Sequence, residues 1–282
     1  MELDFFPSAA LVAAAFLCEF MDSSLGMGYG TTLAPLLLLA GFRPLQIVPV
    51  ILLSELVTGL LAAFCHHRSG NVRFLPAGPG FWNTLRHPGK KGCLERLKRE
   101  IPRDLVIALV LASCSIGGTL AAVLVAVSIP RFYLKLYIGC LVFLMGVVIL
   151  LTLGRRLRFS WIKLAILGVA ASFNKGLSGG GYGPLVTGGQ ILSGVEGKNA
   201  VGITSLSEGL TCAVGLLAYF LISENPLDFR LAPYVILGSV LSVPFSALCV
   251  KRIGTKKLTL LIAIITILLG GSTIWRTIAG SG

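Results

Sequence analysis

Two short glycine-rich segments of the chain carry residue types that can bind a small anion. Residues 26–30 read GMGYG and residues 179–183 read GGGYG, at a constant offset of 153 residues. Glycine permits backbone conformations that interrupt a helix, and the helix that restarts after such a break presents free N–H groups to an anion. The motifs therefore predict two helix N-termini that together hold a small oxyanion. The alternative is that these glycines only allow helices to pack closely.

The predicted substrate site is completed by polar residues beside the two motifs. Lys175 precedes the second motif, and a basic residue inside a membrane is costly and usually functional. It is a candidate charge partner for the anion, with snorkelling to the membrane surface as the alternative. The full predicted set is Gly28, Tyr29, Gly30, Thr31, Thr32, Lys175, Ser178, Gly180, Gly181, Tyr182 and Gly183.

Two glutamates occupy equivalent positions in the two halves of the chain. Glu55 and Glu208 each follow a serine and precede a threonine by three residues, which places glutamate and threonine on one helix face. A carboxyl group at membrane depth suits proton coupling, or it pairs with Lys175. A protonated carboxyl group that only joins helices is the third interpretation. Glu19 and Asp22 are further candidates of the same kind.

The elements that position these residues are membrane segments. A mean hydropathy of +0.88 is too high for a soluble domain of this size, and the apolar runs are long enough to cross about 30 Å of hydrocarbon. Ten segments are predicted, at residues 8–24, 31–41, 45–65, 104–127, 132–153, 160–176, 184–194, 199–222, 231–250 and 257–275. The segments 31–41 and 184–194 cover only about 16 Å each, which predicts broken or re-entrant helices lining a cavity.

The repeated sequence predicts the fold class. Residues 26–61 and 179–214 align without gaps and share about eleven of thirty-six positions. Five segments in each half is an odd number, so the second half enters the membrane upside down, which is a recurring plan of transporters. We predict an all-α polytopic membrane protein with two inverted-topology repeats and about 8–10 membrane segments. The predicted divisions are 1–65, 66–103 and 104–153 in the first half, then 154–222 and 223–282 in the second.

The net charge of +12 indicates orientation and not nucleic-acid binding. Of the 24 Lys and Arg residues, nine fall in 66–103, four in 155–163 and four in 251–257. Basic residues concentrate in short cytoplasmic loops, so the loops at 66–103, 154–159 and 251–257 are predicted inside the cell and both termini outside. The seven scattered cysteines form no C-x-x-C pair, so neither a disulfide framework nor a metal or other cofactor is expected.

Loop 66–103 is predicted to be the one sizeable element outside the membrane. It contains the three histidines, which we interpret as solvated loop residues, namely His66, His67 and His87. Its basic end predicts an amphipathic helix that contacts anionic lipids, with a regulatory role as the alternative.

Enzyme classes are poorly supported by the sequence. Residues 176–179 read Gly-Leu-Ser-Gly, as in intramembrane serine proteases, but no histidine follows His87. The chain also lacks the G-x-x-x-x-G-K-[ST] signature of ATP-driven proteins. We therefore expect no enzyme activity.

At these residues the chain resembles the sulfite exporter TauE/SafE family of membrane permeases. The resemblance is carried by GMGYGTTLAPLLLLAGF, NKGLSGGGYGPLVTGGQILSG and NAVGITSLSEGLTCAVG. It implies a multi-pass membrane permease with two homologous halves, which exports sulfite or organosulfonates. We further predict a location in the plasma membrane and a mechanism of alternating access between the two halves. A small-anion channel or uniporter, and a non-transporting assembly partner of another membrane protein, remain alternatives. The partners expected are a small anionic substrate and the lipid bilayer, and the sequence leaves open whether the chain forms a homo-oligomer.

Overall fold

The computed structural model describes residues 8–39, 42, 44–76, 101–125, 131–151, 159–178, 182–222 and 230–279. These residues form ten helices and no strand. In chain order they are α1 (Ser8–Leu25), α2 (Tyr29–Leu39), α3 (Pro44–Ser69), α4 (Arg103–Val125), α5 (Arg131–Leu151), α6 (Trp161–Ser178), α7 (Tyr182–Leu192), α8 (Gly197–Ile222), α9 (Ala232–Arg252) and α10 (Thr255–Ala279). The predicted all-α polytopic membrane protein is confirmed.

Long apolar helices make up most of the described chain. Five of them, α1, α3, α8, α9 and α10, are long and apolar enough to cross a membrane. The most buried windows are those of α3 and α8, at 61% and 72% of their residues, against 28% for α10. Helices α3 and α8 therefore form the centre of the protein. The outer helices expose large apolar side chains, such as Leu241 and Trp275, as expected for surfaces that face lipid.

Two helices are too short to span a bilayer, and both follow a glycine motif. Helices α2 and α7 have 11 residues each, or about 16 Å at 1.5 Å per residue. Helix α1 ends just before Gly26 and Gly28, whose φ angles of 73° and 120° are conformations that other residues rarely adopt. The predicted broken helix is thus present in the first half. Residues 179–181, which precede α7, lie outside the described residues.

Helix packing follows the duplication of the sequence. Helix α1 packs on α9 while α6 packs on α4, and α3 packs on α9 while α8 packs on α4. The remaining large interfaces are α3 with α8 and α5 with α10. If each helix is replaced by its counterpart five helices away, α1 by α6 and α4 by α9 for example, every one of these interfaces becomes another of the set or stays the same. That the two halves lie in opposite orientations in the membrane remains a prediction.

Helix α3 continues beyond its predicted end, and this changes the interpretation of two histidines. Because α3 runs to Ser69, His66 and His67 are helical. His66 is fully buried; its Nε2 donates to the carbonyl oxygen of Ser23 at 2.8 Å, and its Nδ1 accepts from the Asn71 amide at 3.0 Å. The prediction of a solvated His66 is wrong, because the last turn of α3 packs against the end of α1. His87 and the predicted amphipathic stretch lie largely outside the described residues.

Candidate functional site

A buried lysine lies between two glutamates where three helices meet. Nζ of Lys175, on α6, is 2.6 Å from Oε2 of Glu55 on α3 and 2.5 Å from Oε1 of Glu208 on α8. None of the three side chains is more than 7% exposed. Of the roles that the sequence left open for the glutamates, pairing with Lys175 is the one that the structure shows. We call these three residues the charge triad.

The charge triad joins the two halves of the protein by electrostatics. Glu55 belongs to the first half and Glu208 to the second, and Lys175 satisfies both. Two opposite unit charges 4 Å apart attract by about 4 kcal/mol at an effective dielectric constant of 20, which offsets part of the large desolvation penalty of a buried pair. Any anion that approached Lys175 would have to compete with two carboxylates that are already in place.

Two further side chains surround the lysine. The thiol of Cys212 donates to Oε2 of Glu55 at 3.3 Å. The ring of Tyr182 has its centre 5.7 Å from Nζ of Lys175, which is within the range of a cation–π contact. The predicted cation and the predicted aromatic residue of the second half are therefore neighbours.

An acidic cleft opens beside the charge triad. Its free space is only about 10 Å³, about enough for a single water molecule. Four carboxyl groups line it, those of Glu19, Asp22, Glu55 and Glu208, together with Ser23, Thr58, Gly59, Ala62 and Ser205. None of these described lining residues is basic, and Oε2 of Glu208 is buried without a hydrogen-bond partner in the part of the chain that the structure describes. The cleft is thus suited to protons or cations and not to a free anion.

The repeated threonines take different partners in the two halves. Thr58 and Glu55 lie three residues apart, yet the Thr58 hydroxyl donates to Oε2 of Glu19 at 3.1 Å. The Ser23 hydroxyl donates to the other oxygen of Glu19. In the second half, the Thr211 hydroxyl lies 3.5 Å from the hydroxyl of Tyr182. Glu19 is therefore held by two hydroxyl groups inside the acidic cleft.

The N-terminus of α2 holds a carboxylate of the chain itself. The backbone N–H of Tyr29 donates to Oδ1 of Asp22 at 3.1 Å, where the helix dipole favours negative charge. The first of the two predicted anion sites is thus occupied by Asp22. The residue equivalent to Asp22 in the second half is Lys175, so the halves differ in charge at this position.

The two motif tyrosines fasten the short helices to the long ones. Both are fully buried, so neither ring faces open space. The hydroxyl of Tyr29 contacts Ser54 of α3 at 2.7 Å and Ser239 of α9 at 2.8 Å, and that of Tyr182 contacts Ser115 of α4 at 3.4 Å and Thr211 of α8 at 3.5 Å. The partner helices of one tyrosine are the counterparts of those of the other. The geometry supports a positioning role for both.

The two glycine motifs touch each other. A Cβ added to Gly183, in the first turn of α7, would lie 2.7 Å from Cα of Met27, so only glycine allows this approach. The hydroxyl of Thr187, also on α7, donates to the carbonyl oxygen of Gly26 at 2.7 Å. Sequence analysis missed Thr187, although a polar residue within a short apolar segment is a usable signal.

The remaining predicted residues cluster at the starts of the short helices. Gly30 lies in the first turn of α2, and the N–H of Thr32 donates to the carbonyl oxygen of Gly28 at 3.0 Å. Thr31 belongs to α2 and Ser178 ends α6, but the structure does not describe their side chains. Gly180 and Gly181 lie outside the described residues.

The sequence of the chain matches a known family over most of its length. The match to Sulfite exporter TauE/SafE covers residues 11–81 and 94–273, which include both glycine motifs and the charge triad. The chain belongs to the sulfite exporter TauE/SafE family. A curated relative is the probable membrane transporter protein YtnM of Bacillus subtilis (strain 168). It is 27% identical over an alignment of 281 residues that covers 94% of this chain and 82% of the relative. No solved structure matches the chain.

Membership of the TauE/SafE family agrees with the architecture. The chain is a multi-pass membrane transporter, and the resemblance identified from its glycine motifs is confirmed. Within the described residues, no three His, Cys, Asp or Glu side chains are arranged to hold a metal ion.

Proposed function

We propose that the chain is a secondary transporter that exports small sulfur-containing anions, such as sulfite or organosulfonates, by alternating access between its two halves. In this proposal Glu55 and Glu208 bind the coupling proton. The observation that carries it is the charge triad, in which one buried lysine holds a glutamate from each half. Charged residues at membrane depth usually mark the path of a transported solute or proton.

The substrate class is supported by chemistry and by the family. The family description names sulfite, and the oxygens of sulfite and sulfonates accept strong hydrogen bonds from backbone N–H groups and from lysine. The bond from Tyr29 to Asp22 supports this proposal, because in it a carboxyl oxygen accepts a hydrogen bond from the first N–H of a motif helix. Export is proposed from the family description alone.

The mechanism requires contacts between the halves that can break and re-form. The charge triad and the bond from Thr187 to Gly26 are such contacts. Protonation of Glu55 or Glu208 removes the charge that holds it to Lys175. In this proposal proton exchange weakens the link between the halves, and one half then rocks against the other.

Binding of the substrate is tested by thermal unfolding of the purified protein. Sulfite, sulfoacetate, taurine, thiosulfate and sulfate are titrated separately, because a ligand that binds the folded state adds about 2.7 kcal/mol of stability at one hundred times its Kd. We expect a saturable rise in Tm with at least one sulfur anion. The rise should be lost in Lys175→Ala and kept in Lys256→Ala, a change at an exposed position. A response to none of the five compounds would contradict the proposed substrate class.

A further inference from the structure

The acidic cleft contains more negative charge than the protein compensates nearby. Its four carboxyl groups face a single lysine, which is already bonded to two of them. If all were ionised, they would leave a surplus of three negative charges in the protein interior. Buried charge without compensation is costly, and such groups take up protons instead. An additional anion would increase the surplus.

Among the described residues around Lys175, there is no second cation that could bind an arriving anion. Glu55 of α3 and Glu208 of α8 bond to it, Cys212 of α8 bonds to Glu55, and the ring of Tyr182 lies on the side of α7. From α1, Glu19 and Asp22 face the two glutamates across the cleft. The one basic residue of α4, Arg103, is the first residue of that helix, and its guanidinium group lies over the ring of Phe159.

A lysine has three N–H donors, and two of those of Lys175 point to carboxylates. To give them to an anion, Lys175 must release Glu55 or Glu208, and a released carboxylate would remain buried and charged unless it binds a proton. Oε2 of Glu208, which has no hydrogen-bond partner in the described residues, is an oxygen at which a proton can be added without breaking a contact.

We propose that the anion reaches Lys175 only together with protons taken up by the acidic cleft, so that anion and protons cross the membrane in the same direction. This inference rests on the proposed function and specifies its coupling. Because coupling between two sites is reciprocal, protons tighten anion binding and the bound anion tightens proton binding. One proton carried with a monovalent anion, or two with a dianion such as sulfoacetate, is electrically neutral. With that stoichiometry the direction of transport is set by the anion and pH gradients and not by the membrane potential.

Protons fit the cleft better than a metal ion does. No group of three ligating side chains is arranged for a metal within the described residues. The hydroxyl groups of Ser23 and Thr58 both donate to Glu19 and so leave it fewer free lone pairs for a cation.

The first test measures binding of sulfoacetate to the purified full-length protein, with sulfite and thiosulfate in parallel. The charge of sulfoacetate is constant between about pH 6 and pH 8, because its carboxyl group titrates near pH 4. Calorimetry in two buffers of different ionisation enthalpy gives both the Kd and the protons taken up. We expect the affinity to rise about tenfold for each unit of falling pH per linked proton. This dependence of the affinity on pH should be lost in the double variant Glu55→Gln/Glu208→Gln. It should be kept in Glu196→Gln, a change at an exposed position.

The second test measures the direction of coupling in liposomes with a pH-sensitive dye inside. An inward sulfoacetate gradient should acidify the lumen, and alkalinisation would show antiport and overturn the inference. An affinity that is independent of pH, or that requires sodium, would overturn the inference and the proton coupling of the proposed function, while leaving transport of sulfur anions intact. If none of the three anions binds at any pH, the proposed function fails and the inference with it. If the double variant does not fold, the number of protons that the wild type takes up on binding the anion still tests the inference.

Discussion

At the scale of single residues, the site depends on one lysine that satisfies a glutamate from each half. The sequence predicts that Lys175, Glu55 and Glu208 are functional, because charged residues are rare in apolar segments. Pairing of the glutamates with Lys175 was one of three interpretations, and the sequence could not select it, since spacing does not give the depth or the rotamer of a side chain. The bond from Tyr29 to Asp22 was also out of reach, because it forms only when the chain turns back between α1 and α2.

Removing the lysine alone should destabilise the protein more than neutralising the whole triad. Lys175→Met leaves two buried carboxylates without a cation, and we expect a loss of about 3–5 kcal/mol. The triple variant Lys175→Met/Glu55→Gln/Glu208→Gln removes the charges together and should recover most of that loss. Unfolding in detergent measures both. A triple variant that is no more stable than the single one would contradict the pairing.

The two motif tyrosines should differ in their contribution to stability. Tyr29→Phe removes contacts of 2.7 and 2.8 Å, whereas Tyr182→Phe removes contacts of 3.4 and 3.5 Å. We expect Tyr29→Phe to lower the free energy of unfolding by about 1 kcal/mol and Tyr182→Phe by less. Melting temperatures of the two purified variants show which substitution costs more stability. A larger loss in Tyr182→Phe would show that the distances of the hydroxyl contacts do not determine the difference.

At the scale of elements, the helices follow the hydropathy of the sequence closely. The predicted segments 31–41 and 184–194 correspond to α2 and α7, which each begin and end two residues earlier. Agreement is close because apolar runs end at glycines, prolines and charges, which are strong local signals. The end of α3 was missed, because polar residues continue this helix beyond its apolar run.

The contact between the glycine motifs predicts a sharp difference between two glycines. Gly183→Ala forces the backbone of residues 26 and 27 away, and overpacking of this kind costs about 1–3 kcal/mol. Gly117→Ala is the matched control, since a Cβ at that helical position meets nothing within 4 Å. We expect transport and Tm to fall only in Gly183→Ala. Equal behaviour of both variants would argue against close contact of the motifs.

At the scale of the whole molecule, large helix interfaces occur in equivalent pairs. The interface of α1 with α9 matches that of α6 with α4, and the interface of α3 with α9 matches that of α8 with α4. The duplication was visible in the sequence because glycine, tyrosine, serine and glutamate recur at one offset. The sidedness of the membrane remains a prediction from basic residues, since helix packing is the same whichever end faces the cytoplasm.

Cysteine labelling tests this sidedness at the two ends of α10. In a cysteine-free background, Ala279→Cys should react with an impermeant thiol reagent added outside intact cells, and Lys256→Cys should react only after permeabilisation. Both positions are exposed, so access to the reagent differs only by the side of the membrane. The opposite pattern would invert the proposed orientation.

Counterflow in liposomes tests the central claim most directly. Proteoliposomes loaded with unlabelled sulfoacetate are diluted into a trace of labelled sulfoacetate, and the same is done with sulfite. A transporter that alternates access should accumulate label transiently, and Lys175→Gln should abolish this accumulation while Glu196→Gln retains it. Label that only equilibrates would indicate a channel. No flux of either anion above that of protein-free liposomes would contradict the proposal that this TauE/SafE chain transports sulfur anions through its charge triad.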